Sequence, residues 1–262
     1  MSDVSNELQQ RLVEHGQEHV LKFWDELTEA QRSEFVCQLN SIDYSLLKQK
    51  QQNAETVEVL PAPVFALDNK FKENGVERIA KGEFGVLTVA GGQGTRLGWS
   101  GPKGTFPATQ ITGKSLFQLV AEQIVYASKK YKVSIPWYIM TSIENDAVTR
   151  SFLLDNNCFG LDRTNIIAFT QGQVPAIDKD GKMLLATKSS IAMNPDGHGG
   201  VIAALEKSGG LAEMEDRGVK YLSYIQVDNP LARVVDPVFL GMHVSGNSSK
   251  EASSKSVAKS DP

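Results

Sequence analysis

Apolar residues follow two different rhythms along this chain, and the change between them falls near residue 60. Over residues 5–50 they recur at helical spacing, with Leu8, Leu12, Val20, Phe23, Trp24 and Leu27 set among Gln, Glu and Lys. Thr28, with Gln31 three residues on, reads as a capping box that restarts a helix carrying Phe35, Val36 and Leu39. Phe23 and Trp24 suit packing better than ligand contact. Ser41 to Leu47 predicts one further short helical stretch. Residues 51–63 are polar and end in Pro61-Ala62-Pro63, the composition of a surface linker.

Beyond the linker the pattern alternates. Phe84 to Ala90 is apolar, partly β-branched and bounded by glycine, which predicts a buried strand. A helix is expected over about 115–130, then a strand at 135–141, a helix at 144–154 and a strand at 165–169. A hairpin around Asp180-Gly181 precedes a helix over Val201 to Ser208 and a strand over Tyr221 to Val227. Strands alternating with helices predict an α/β fold: a mostly parallel sheet with helices on both faces and ligands at the carboxyl ends of its strands. The expected division is a helical region and linker over 1–60 and the α/β core over 61–262. The final stretch, Ser245 to Pro262, is rich in serine and lysine and by composition alone is a flexible tail.

Composition narrows the partners. The chain has 262 residues, 41% hydrophobic and 22% charged, with a net charge of -4 and no basic stripe, which argues against nucleic acid. Cys37 and Cys158 form neither a Cys-x-x-Cys pair nor a zinc pattern. No apolar run approaches membrane-spanning length, and the first residues lack the basic and apolar segments of a secretory signal. The expectation is a cytoplasmic protein without a membrane partner.

Charge placement is more informative than total charge. The 38 residues from Phe84 to Ala121 contain no acidic side chain, and Arg96, Lys103 and Lys114 are their only formal charges. Inside this window lies Gly91-Gly92-Gln93-Gly94-Thr95-Arg96-Leu97-Gly98. A strand running into a glycine-rich turn exposes backbone N–H groups that can surround an anion, and a cation adds to them. With no carboxylate in the window, that field is expected to stand uncancelled. The pattern is no Walker A loop, because Gly-x-x-x-x-Gly-Lys-Ser/Thr is missing. It is a poor dinucleotide fingerprint too: the third glycine comes one place late, at Gly98, and the first acid after it is Glu122.

Taken together with Pro102-Lys103-Gly104 and Ser115-Leu116-Phe117-Gln118, this loop resembles the signature of the UTP:sugar-1-phosphate uridylyltransferases, nearest to their UDP-N-acetylhexosamine pyrophosphorylase branch. Later segments agree in order: Trp137 to Ser142, Gln171-Gly172-Gln173-Val174-Pro175-Ala176, Pro195-Asp196-Gly197-His198-Gly199-Gly200 and Val227-Asp228-Asn229. The likeness spans roughly 60–262. It implies a Rossmann-like nucleotide-diphospho-sugar transferase core that moves UMP from UTP to a hexose 1-phosphate, with N-acetylglucosamine 1-phosphate as the expected sugar and Mg2+ as cofactor.

The resemblance also distributes roles. Arg96 is implied at the triphosphate and departing pyrophosphate, Lys103 beside it, and Lys259 at the transferred phosphate. Gly91, Gly92, Gly94 and Thr95 belong to the phosphate loop. Gln171 reads the uracil edge, with backbone around Ala90, Gly91 and Gly197. Asn229 is placed with the substrate. Asp228 is the metal ligand, and Asp236, in a similar Asp-Pro context, is weaker. Ser256 to Pro262 is similar to a strand-to-loop segment of the family core.

His198 departs from the pattern. The N-acetylhexosamine branch usually has asparagine there, and histidine resembles the UDP-glucose branch, so UDP-glucose pyrophosphorylase is the alternative within the class; a UTP-binding module without turnover is a rival from another class. His15, His19 and His243 have no motif context. Because members of the family run longer, the expectation is also of a partial core with weak UTP binding and little turnover.

Overall fold

The computed structural model describes residues 4–48, 63–246 and 249–257. Two helices come first, α1 (Asn6–Glu14) and α2 (Glu29–Ser41). After residue 63 the chain forms α3 (Lys72–Ala80), β1 (Phe84–Val89), α4 (Leu116–Tyr131), β2 (Trp137–Thr141), α5 (Asp146–Asp155) and β3 (Ile166–Thr170). Four short strands follow, β4 (Gln173–Pro175), β5 (Leu185–Thr187), β6 (Ser190–Ile191) and β7 (Met193–Pro195). The described elements close with α6 (Val201–Lys207), α7 (Gly210–Asp216), β8 (Tyr221–Gln226) and α8 (Pro237–Ser245).

Two compact units result: residues 1–62 with 172–197, and residues 63–171 with 198–262. In the first, α1 and α2 bury Leu8, Leu12, Phe35 and Leu39 against Met183 and Ile191. Thr28 and Gln31 form the expected capping box, and Trp24 packs on this cluster. The Asp180-Gly181 hairpin is present, with Asp178 N donating to Lys182 O at 2.9 Å and Gly181 at a φ of 76°. Two glutamine amides couple the N-terminal helical segment to residues 181–191. Buried Gln17 accepts from Met183 N at 2.8 Å and donates to Gly181 O, and Gln38 does the same with Ile191 N and O. Such pairs satisfy backbone groups that a short, isolated hairpin leaves open.

The second unit is a four-stranded, wholly parallel sheet in the order β3-β2-β1-β8. β1 and β2 are buried almost throughout, as inner strands covered on both faces must be. One face, with Val86, Trp137 and Ile139, packs on Phe117, Val120 and Ile124 of α4 and on Leu240 of α8. The other, with Leu87, Tyr138 and Met140, packs on Val201, Leu205 and Met214 of α6 and α7. Helix ends follow local chemistry. Ser115 caps α4 through Gln118 N, and Asp236 caps α8 through Val238 N and Phe239 N, with Pro237 opening the helix. Asp236, the weaker metal candidate, is thus a capping residue. It also accepts from Lys255 Nζ at 2.6 Å. Residues 249–257 form no strand, and Lys259 lies outside the described residues.

Candidate active site

From β1 the chain builds β2 and β3 outward on one side, then returns to place β8 on the other side of β1. Ligands in open α/β sheets bind at the carboxyl ends of strands where the order reverses. Here that crevice lies between β1 and β8, with the glycine-rich turn on one bank and Asp228-Asn229 on the other. Ala90 closes the β1 ladder, its N–H donating to Met140 O at 2.7 Å, and the chain then leaves the sheet.

The turn is held by its carbonyls. Lys103 N donates to Gly92 O at 3.0 Å and Gly94 N to Gly101 O at 2.8 Å, while Gly94 O receives Leu97 N and Trp99 N. Gly98, at a φ of 67°, reverses the direction. A Cβ on Gly94 would lie 2.8 Å from Trp99 Cβ, so the turn wraps an indole whose Nε1 donates to Thr105 Oγ1 at 2.9 Å. Among the described residues, the N–H groups of Gly91, Gly92 and Gln93 have no partner. Carbonyls engaged and N–H groups open make an anion cradle. Thr95 and Arg96 follow on an exposed 3-10 turn, and the Arg96 guanidinium pairs with none of the described residues.

The field of the other two cations is not uncancelled, as the acid-free window had led one to expect. Lys103 Nζ lies 2.7 Å from Asp228 Oδ2, and Lys114 Nζ lies 2.6 Å from Glu122 Oε2. Folding delivers the missing carboxylates from outside the window. The Lys103–Asp228 pair is partly exposed, so it is worth at most about 1 kcal/mol and a bound phosphate or cation can separate it cheaply. No cluster of three or more His, Cys, Asp or Glu that could hold a metal exists among the described residues. A single carboxylate beside a phosphate cradle still fits Mg2+, which takes one or two protein oxygens and completes its shell with phosphate and water.

Gln171 N donates to Thr141 O at 2.8 Å, which extends the β2–β3 ladder and carries the residue to the same sheet edge. Its side chain is buried against the Gly91 backbone: a Cβ there would meet Gln171 Nε2 and Oε1 at 2.9 Å. The structure therefore gathers Ala90, Gly91, Gly92, Gly94, Thr95, Arg96, Lys103, Gln171 and Asp228 at one edge of one sheet. Asn229 uses its Oδ1 locally, accepting Leu231 N at 3.2 Å. Gly197, at a φ of 63°, ends the smaller unit. His198 belongs to the sheet unit, and its Nδ1 is hydrogen-bonded to Tyr224 OH on β8. Partial burial of the half-exposed Tyr224 raises its pKa above the ordinary phenol value.

Sequence reasoning missed two polar residues. Tyr224 read only as part of a strand. Asn145 read as the opening of a helix, yet it is 1% exposed and its amide reaches back to the turn, accepting from Gln93 Nε2 at 2.7 Å and donating to Gly91 O at 2.9 Å. The signal available was weak: a helix-opening asparagine just beyond a fully buried strand.

The geometry agrees with comparison to known proteins. A family model described as UTP–glucose-1-phosphate uridylyltransferase matches residues 29–257. The chain is 37% identical over 97% of its length to UDP-N-acetylglucosamine diphosphorylase 1 of Arabidopsis thaliana, and 34% identical over 96% to UDP-N-acetylglucosamine pyrophosphorylase of Saccharomyces cerevisiae. It spans about half the length of these relatives, 55% and 58% respectively. Among solved structures, uridine diphosphate N-acetylglucosamine pyrophosphorylase of Trypanosoma brucei superposes with a TM-score of 0.77 at 29% identity, covering 93% of this chain and 55% of that one.

Proposed function

The chain belongs to the UTP–glucose-1-phosphate uridylyltransferase family, and from that premise we propose that its site transfers UMP from UTP to N-acetylglucosamine 1-phosphate in the cytoplasm. The observation that carries this reading is the buried Gln171 amide lying on Gly91, at the mouth of the open N–H cradle, with Arg96 beyond it and unpaired among the described residues. A carboxamide supplies both a donor and an acceptor, the complement of a pyrimidine edge, and the cradle supplies charge for the phosphates attached to it.

In this reading an oxygen of the sugar 1-phosphate attacks the α-phosphorus of UTP. The bond to the bridging oxygen breaks, and pyrophosphate leaves. The protein's part is positioning and charge. The cradle N–H groups and the Arg96 fork hold the oxygens on which charge accumulates. Lys103 turns from Asp228 to phosphate, and Lys259 is assigned by resemblance to the phosphate under attack. Mg2+, when bound, neutralises triphosphate charge, and Asp228 is the side chain that would hold it.

The sugar rests on the names of the relatives. His198 supports a second reading, glucose 1-phosphate, because an imidazole stands where the N-acetylhexosamine branch usually has asparagine. The test is a panel: Mg2+-dependent pyrophosphate release from UTP with the 1-phosphates of N-acetylglucosamine, glucose, N-acetylgalactosamine and galactose, alongside calorimetric binding of UTP and CTP. The expected result is preference for UTP over CTP and fastest release with N-acetylglucosamine 1-phosphate. Fastest release with glucose 1-phosphate favours the second reading, and UTP binding without release favours a binding module. Equal affinity for UTP and CTP overturns the uridine assignment.

A further inference from the structure

We propose that Asn145 is a positioning residue for the phosphate loop, holding the Gly91 carbonyl away from the cradle so that the next N–H stays available to the anion. This rests on the reading that the loop binds phosphate. In a trans peptide the C=O of one residue and the N–H of the next point in opposite directions, and the described chain has no cis peptide. Gly91 O is held by Asn145 Nδ2 at 2.9 Å, so the Gly92 N–H is fixed on the far side of that plane. Gly92 O is held by Lys103 N at 3.0 Å, which fixes the Gln93 N–H in the same way. These are two of the N–H groups left without a partner among the described residues.

The hold on Gly91 needs a side chain. Glycines at 91 and 92 leave that peptide plane free to rotate, and a flip would turn a carbonyl oxygen toward the anion and an N–H away from it. Asn145 is suited to prevent this because both ends of its amide are occupied with matched polarity. Nδ2 donates to the carbonyl, and Oδ1 accepts from Gln93 Nε2 at 2.7 Å. The amide is 1% exposed, so water does not substitute for either partner. Asparagine at the start of a helix ordinarily caps it, yet Asn145 makes no side-chain capping bond to α5. Its hydrogen bonding is diverted from its own helix to the loop.

The two partners have different weights. The bond to Gly91 sets the direction of a peptide plane, whereas the bond to Gln93 only orients the amide that does so. Asn145→Ala should therefore weaken pyrophosphate and UTP binding about tenfold, and Gln93→Ala about threefold or less. Calorimetric titration of both ligands measures this, with melting curves to establish that the variants fold. Amide spectra of the unaltered chain supply a second readout: the Gly92 and Gln93 N–H signals should move strongly when pyrophosphate is added. Failure of the unaltered chain to bind either ligand defeats the phosphate-loop reading itself. Normal binding by the unaltered chain, with equal losses in the two variants or no loss in Asn145→Ala, overturns the positioning role alone. If the variants do not fold, unmoved Gly92 and Gln93 signals on ligand binding overturn it equally.

Discussion

Gly91→Ala separates the site from the scaffold more cleanly than any other single change. The new Cβ would lie 2.9 Å from both Gln171 Nε2 and Oε1. Carbon contacts are relaxed at about 3.5 Å, so the amide must retreat by about 0.6 Å. Nothing in the backbone forbids alanine, because Gly91 does not have a positive φ. The displaced group is also the free end of a flexible side chain. The loss of unfolded-chain entropy favours alanine by about 0.4–1 kcal/mol, which offsets much of the strain, so the melting temperature should hardly move. Recognition should not survive as well. With the base placed on Gln171 as proposed, a retreating amide would weaken two hydrogen bonds to the uracil edge, each worth about 0.5–1.5 kcal/mol, for a total of about 1–3 kcal/mol. That corresponds to a rise of about 5- to 150-fold in the UTP dissociation constant. Pyrophosphate affinity should change far less, since no base is present. Calorimetry with UTP, CTP and pyrophosphate, together with thermal melts, gives all the quantities needed. A variant that melts normally and keeps both UTP affinity and the preference over CTP would refute the placement of the base on Gln171.

Arg96→Ala should lower turnover about 100- to 1000-fold while changing UTP affinity much less, because its charge is wanted most as pyrophosphate departs; near-normal turnover in the rate assay counts against that role. Lys103→Ala should weaken both, and it also leaves Asp228 without its partner. His198→Asn should shift the ratio of rates between N-acetylated and plain hexose 1-phosphates with UTP binding unchanged, and an unmoved ratio places sugar choice elsewhere. Asp236 supplies a pH dependence: burial pushes its carboxyl up, but the Lys255 hydrogen bond and the N–H groups of Phe239 and Val238 outweigh it, leaving the pKa below its ordinary 3.8. A depressed folded pKa gives stability that is fully present above 3.8 and is lost as pH falls through the lower folded value, so acid melts of Asp236→Asn should fall less steeply than those of the unaltered chain.

Local patterns carried the sequence a long way. The strand at 84–90, the helix opened by Ser115, the capping box at Thr28 and the glycine turn were all legible, because each depends on residues within a few positions of one another. The turn in particular follows from glycines and a buried strand, and because it comes after β1 in sequence it leaves the sheet at the carboxyl end of that strand. Within residues 172–197 only the Asp180-Gly181 hairpin was legible. Their apolar pattern is short, and their backbone is satisfied by Gln17 and Gln38 from far upstream. Charge was misjudged for a related reason. A window without acids is a fact of sequence, but electrostatic energy depends on distance in space, and Asp228 arrives at Lys103 across 125 residues. Asn145 shows the limit most sharply. Its residue type permits a cap, a turn or a buried clamp, and only the packing of β1 beside β2 brings Gly91 O within 2.9 Å of its amide. Sequence determined which groups the chain could offer to a nucleotide. Tertiary structure decided which of them face one another, since hydrogen bonds act only over a few ångströms, whatever the separation along the chain.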